Sequence, residues 1–147
     1  MSIWRFDVAL VARDGKGIEL KTYGNDVRPL TARTIAAARA ELERRFGRSF
    51  SIEQSVCSFG RPLGNRVDVI DVPGGTRELW ASIDARSEAD RFCAAVCKLA
   101  DELGCDLFSP DLDATFAPTR SNLINALMGS RAWVYALDPT PFEQAPH

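Results

Sequence analysis

The sequence predicts one α+β domain, an antiparallel-rich sheet with two long helices, 31–46 and 87–103, packed on it. Three observations carry that prediction. The first is a strand–helix–strand unit. Over 78–84 the side chains alternate, with Leu79, Ala81 and Ile83 on one face and Trp80, Ser82 and Asp84 on the other, the period-two signature of a strand. Ala89, Phe92, Val96, Leu99 and Leu103 then recur at spacings of three and four and make the apolar stripe of a helix. Ser87, with Asp90 three residues on, is placed to cap its first turn, and Gly104 to end it in the left-handed conformation. Residues 105–109 return as a short strand stopped by Pro110. The second observation is an antiparallel meander over 50–84, and the third is another amphipathic helix at 31–46.

In chain order, 3–13 set Trp4, Phe6, Val8 and Leu10 against Arg5, Asp7 and Ala9, again a strand alternation. Asp14-Gly15-Lys16-Gly17 has turn chemistry, and 18–23 put Ile18, Leu20 and Thr22 on one face, so the two segments are expected to form a β-hairpin. Gly24-Asn25-Asp26 breaks it. Thr31 is positioned to cap a helix that buries Ile35, Ala38, Leu42 and Phe46 and ends at Gly47. Residues 50–59 read as a strand with Phe50, Ile52 and Val56 on one face, and 67–72 as another. Pro73-Gly74-Gly75-Thr76 turns the latter into the strand at 78–84. The crossover from 78–84 through its helix to 105–109 offers the sheet one parallel pair. From Pro110 to Pro118 the chain reads as irregular and acidic. Either Thr119 or Ser121 caps a short helix holding Leu123, Ile124, Leu127 and Met128 and closed by Gly129. Residues 131–137 alternate alanine with aromatic residues and read as a last strand, and the tail 138–147 as extended. There is no internal repeat and no linker, so 1–147 is expected to be a single domain.

Composition narrows the function. A chain of 147 residues, 46% hydrophobic and 26% charged, is ordinary for a globular domain with a real core. No apolar run approaches the ~18 residues of a membrane span, and no basic segment precedes the apolar residues at the amino terminus, so a cytoplasmic protein is expected. Cys57, Cys93, Cys97 and Cys105 form no Cys-x-x-Cys pair and read as small buried hydrophobes. His147, the only histidine, is the last residue, which argues against zinc and against Ser–His or Cys–His catalysis. Asp111-x-Asp113 has the oxygen ligands of a Mg²⁺ or Ca²⁺ loop, but Leu112, Ala114 and Phe116 interrupt the pattern. Neither Gly-x-Ser-x-Gly nor a nucleotide-binding glycine motif is present. No metal and no cofactor are therefore expected. Arg33, Arg39, Arg44 and Arg45 are interspersed with Glu41 and Glu43 and read as a solvated helix face, which disfavours nucleic acid as a partner.

The net charge of −2 conceals an asymmetry: 1–66 carry 12 Lys+Arg against 7 Asp+Glu, and 67–147 carry 6 against 13. Asp101, Glu102, Asp106, Asp111 and Asp113 gather late in the chain. With exposed aromatics such as Trp80, Trp133 or Tyr135 they make a rim suited to a basic protein surface; the plain alternative is that those aromatics are core.

The segment LWASIDARSEADRFCAAVCKLADELGCDLFSPDLD, about residues 79–113, resembles a pattern in small bacterial proteins of polymorphic-toxin and secretion-system loci. There a strand carrying Leu-Trp precedes an Ala/Leu-rich helix and a Leu-Phe-x-Pro return. Several such proteins are immunity proteins, which bind and neutralise a cognate toxin. The resemblance implies a non-enzymatic inhibitor with an acidic contact surface centred on Asp101, Glu102, Asp106, Asp111 and Asp113, and it brings no catalytic residue. Two alternatives stand beside it. One is a small enzyme or small-ligand protein with a polar pocket, using Cys57 or an aspartate pair. The other is an adaptor that scaffolds a homo-oligomer.

Overall fold

The structure, a computed structural model, describes residues 3–13, 18–21 and 24–137. Six strands form one antiparallel sheet: β1 (Arg5–Ala12), β4 (Val56–Gly60), β5 (Arg66–Val72), β6 (Thr76–Asp84), β7 (Cys105–Ser109) and β8 (Ala114–Phe116), in the order β4-β5-β6-β1-β7-β8. A separate two-stranded ribbon joins β2 (Ile18–Lys21) to β3 (Gly24–Val27). The helices are α1 (Ala32–Phe46), α2 (Asp90–Glu102), α3 (Arg120–Met128) and α4 (Arg131–Leu137). The protein is α+β as expected, with two short helices beside the two long ones: α3, which the sequence also predicts, and α4, which it does not.

β1 organises the sheet. Val8, Ala9, Leu10 and Val11 are all buried, so the strand has two apolar faces and is stable only between neighbours. It pairs with β6 on one side and β7 on the other. Two expectations fall with this. The first strand forms no ladder with 18–21, which pairs with 24–27 instead; the expected turn at 14–17 lies outside the described residues. And β6 and β7 run parallel without touching, because β1 occupies the place between them.

Phe6, Val8 and Leu10 of β1, with Leu79, Ala81 and Ile83 of β6, pack in one core cluster with Ile35 and Leu42 of α1, Phe92, Val96 and Leu99 of α2, and Leu123 and Leu127 of α3. The helices therefore cover one face of the sheet. On the other face Ala9, Val11 and Phe108 form a small second cluster with Val27 and Trp80.

Local signals were sound where the stabilising partner lies within a few residues. Thr31 caps α1 through Thr34 N–H at 3.2 Å, and Thr119, rather than Ser121, caps α3 through Asn122 N–H at 3.1 Å. Gly74 and Gly75, at φ 98° and 77°, make the tight turn between β5 and β6. Elsewhere the chain departs from expectation. Ser87 does not cap α2: its hydroxyl donates to the Asp84 carbonyl, and Glu88 Oε1 accepts the Asp90 N–H instead. The strand at 50–59 shrinks to β4, with Phe50 bridging Ser58 alone and Ile52 left exposed. The acidic segment after Pro110 contributes β8.

Residues 131–137 form a helix, not a strand. Buried Ser130 accepts the Trp133 N–H at 3.2 Å and donates to the Leu127 carbonyl at 2.6 Å, which joins α3 to the first turn of α4. Ala132, Trp133 and Ala136 then reach the core at helical spacing, while Val134 stays exposed. The expected tail conformation over 138–147 lies outside the described residues. Ser130→Ala removes both bonds; the Leu127 carbonyl keeps the Ser130 N–H, but the Trp133 N–H loses its cap, an expected loss of about 1 kcal/mol, read as a lower urea midpoint. A midpoint equal to that of the wild type would show that α4 needs no such anchor.

Candidate functional site

The face of the sheet away from the helices carries charge where it is not covered by the second cluster. Alternation in β1, β5 and β6 projects Arg5 and Asp7, Arg66 and Asp68, and Trp80 and Ser82 onto it, and register sets Ser82 opposite both Asp7 and Arg66. Asp68, 8% exposed, accepts from Ser58 Oγ at 2.7 Å and from Arg66 Nε at 3.1 Å. Arg5 Nη1 donates to Ser82 Oγ and to the Gly64 carbonyl, both at 2.9 Å, and Arg66 Nη1 donates to the Pro62 carbonyl at 3.0 Å. These two arginines fasten the 61–65 loop over the sheet edge. Gly60 lets that loop return closely: at φ 115°, a Cβ there would stand 2.6 Å from the Asn65 carbonyl oxygen.

Beneath the loop lies a cleft of about 650 Å³, lined among others by Trp4, Asp7, Leu63 and Arg86. Arg86 closes one end, its guanidinium 3.9 Å from the Trp4 ring centroid, and Tyr135 stacks on the same tryptophan at 6.0 Å. Burial alone would push the Asp84 carboxyl up, but hydrogen bonds from the Arg86 side chain and backbone hold it below the ordinary carboxylate range. A second cleft of about 620 Å³ adjoins the first, sharing Arg5, Asp7 and Trp80 and reaching Asp111 and Arg131. Asp7 lines both clefts, while its Oδ1 is shut off from solvent and has no hydrogen-bond partner among the described residues.

No protein-family model matches the chain, nor does any curated protein or solved structure.

The residues expected at a partner surface fall into two groups separated by the five residues of β7. At its start, Asp101 and Asp106 share Arg13 at 3.2 and 3.1 Å, and Glu102 lies 3.7 Å from Arg45. Past its end, Asp111 and Asp113 sit on an exposed turn, and Asp111 accepts the Arg131 N–H at 3.3 Å. Only this second group adjoins the clefts. Trp133 is half-buried against the main core, whereas Tyr135 reaches the first cleft through Trp4.

Cys57 lines neither cleft; it packs with the helix-side core, its Sγ 4.0 Å from Arg39 Nη1. Among the described residues no group of three or more His, Cys, Asp or Glu is arranged to hold a metal ion, and no helix is long and apolar enough to cross a membrane. The charged floor was missed by sequence reasoning, although it left a signal: Arg5-Phe6-Asp7 and Arg66-Val67-Asp68 repeat one Arg-x-Asp alternation on two strands.

Proposed function

We propose that the protein is a non-enzymatic inhibitor, an immunity protein that binds a cognate bacterial toxin, and that it presents the open face of its sheet. One observation carries this reading: helices cover one side of the sheet, while the other keeps charged and aromatic side chains at the floor of two adjoining clefts. Apolar residues rim the first of them, with Leu63 87% and Ile52 49% exposed. Apolar anchors beside polar groups are the usual make-up of a protein interface. Asp111 and Asp113, on the turn beside the second cleft, supply the acidic rim for basic groups of the partner.

Affinity capture with the tagged chain, followed by assay of the captured protein with and without it, tests the reading. One stoichiometric, salt-sensitive complex is expected, with the partner's toxic activity abolished at saturation. The double variant Asp111→Lys, Asp113→Lys should bind about tenfold or more weakly, roughly 1.4 kcal/mol. A partner whose activity is unchanged by saturating protein rejects inhibition, and unchanged affinity in the double variant removes the acidic turn from the interface.

The cleft volumes of about 650 and 620 Å³ also fall in the range of small-molecule sites, which supports a small-ligand protein or enzyme as the second reading. A metabolite that raises the thermal midpoint saturably, and fails to do so in Trp80→Ala, would favour it.

A further inference from the structure

The rim of the first cleft is held in more order than a connecting loop needs. In the 61–65 loop the Arg61 N–H donates to the Asn65 carbonyl at 3.0 Å and the Gly64 N–H to the Arg61 carbonyl at 3.1 Å. Arg5 and Arg66 hold the Gly64 and Pro62 carbonyls from the sheet, and Asn65 Oδ1 accepts the Asp84 N–H at 2.7 Å. Leu63, at the tip, is the one loop residue that none of these bonds engages, and it is 87% exposed. The 51–55 loop is fastened in the same way. Ser51 Oγ lies 2.7 Å from the Glu53 carbonyl and 2.9 Å from that of Val56, and the Ser55 carbonyl accepts the Asp71 N–H at 2.9 Å. That loop carries Ile52, and Ile52, Pro62 and Leu63 stand exposed along the same cleft. Single exposed leucines are ordinary on a protein surface. These residues differ in being grouped and in being held, so an interface formed on them has little further chain to order.

The charges exposed beside them are mainly cationic. Arg61 is exposed, and its guanidinium has no ion-pair partner among the described residues. Arg86 shows 47% of its side chain to solvent while its partner Asp84 shows 7%, so that pair turns its cation outward. Glu53 is the one carboxylate of the two loops. We infer that the 61–65 loop is a plug: Leu63, flanked by Ile52 and Pro62, enters an apolar pocket of the partner protein whose rim carries carboxylates facing Arg61 and Arg86. Apolar anchoring at the centre and charge complementarity at the edge divide the work as they do in other protein interfaces. The acidic turn at Asp111 and Asp113 then meets a different, basic part of the same partner. The inference rests on the open face being the binding face; it adds that the protruding part there belongs to this chain and the concave part to the partner.

The capture experiment tests this when the wild type, Leu63→Ala, Leu63→Asp and Arg61→Glu serve as parallel baits. Both positions are exposed, so all the chains should share one urea midpoint. The retained protein should bind Leu63→Ala about tenfold or more weakly, as expected when the burial of a leucine side chain is lost, and Leu63→Asp not detectably. Arg61→Glu should weaken binding about tenfold, chiefly through slower association. A photocrosslinking residue placed at position 63 should join to a pocket of that protein lined by apolar side chains and flanked by Asp or Glu. Where a variant does not share the midpoint, the crosslink site decides. A protein held equally by the wild type and Leu63→Asp, or crosslinked on a flat or basic surface, overturns the inference and leaves the inhibitor reading standing. No protein retained by any bait overturns that reading and this inference with it. Two measurements need no partner. Heteronuclear NOE values for 61–65 should match those of β5 and β6, and fast motion of the loop overturns the inference. Sedimentation should show a monomer; a dimer that Leu63→Asp dissociates overturns the inference in favour of a second copy of this chain.

Discussion

Between about pH 9 and pH 11 the protein is expected to unfold, driven by three buried cysteines. Cys93, Cys97 and Cys105 are 0%, 5% and 1% exposed. Burial pushes their thiols up from 9.0, to about 12 for Cys93 and about 11 for Cys97 and Cys105. The unfolded chain begins to lose these protons near pH 9 while the folded chain keeps them. Stability is therefore complete below the unfolded value and falls as pH rises through the folded ones. By pH ~11 each thiol has lost about 2.5 kcal/mol and the three together roughly 7. That is comparable with the whole stability of a domain, about 5–15 kcal/mol. Circular dichroism against pH, followed with thiolate absorbance, should show loss of structure and ionisation in one cooperative step. Cys93→Ala should move that step to higher pH. Thiols that ionise near their ordinary value while the fold persists would contradict this account.

Leu10→Ala should be the most damaging single truncation in the sheet. Leu10 is fully buried on the central strand, with Leu107 of β7 as its cross-strand partner, and belongs to the core beneath the helices. The β7 ladder holds Leu10 and the β6 ladder holds β1 up to Ala9, so the site cannot easily collapse into the void. The expected loss is about 3–4 kcal/mol, seen in urea as a midpoint lower by roughly 1.5–2 M. Leu63→Ala is the control: at 87% exposure it should change stability by no more than about 0.5 kcal/mol, while weakening any partner that uses the cleft rim. A loss under about 1 kcal/mol for Leu10→Ala would mean that β1 is not the tightly held centre of the sheet.

The sequence by itself determined the elements whose stabilising contacts are local. The Thr31 cap, the stripe of Ile35, Ala38 and Leu42, and Gly47 define α1 from within its own turns. The Gly74-Gly75 turn defines the β5–β6 hairpin, and Gly104, at φ 70°, ends the α2 region. The burial of Cys93, Cys97 and Cys105 follows from their residue type beside an apolar stripe. Tertiary structure alone decided the rest. Period two in 131–137 was as regular as in 78–84, yet Ser130 and the core drew the former into a helix. Two-sided burial of 8–11 moved β1 away from 18–21 to the middle of the sheet. The clefts exist only because β1, β5 and β6 meet in one register and the 61–65 loop folds back over them. Caps and turns are written in neighbours a few residues apart. Strand order, and which face stays uncovered, depend on burial shared between segments distant in the chain.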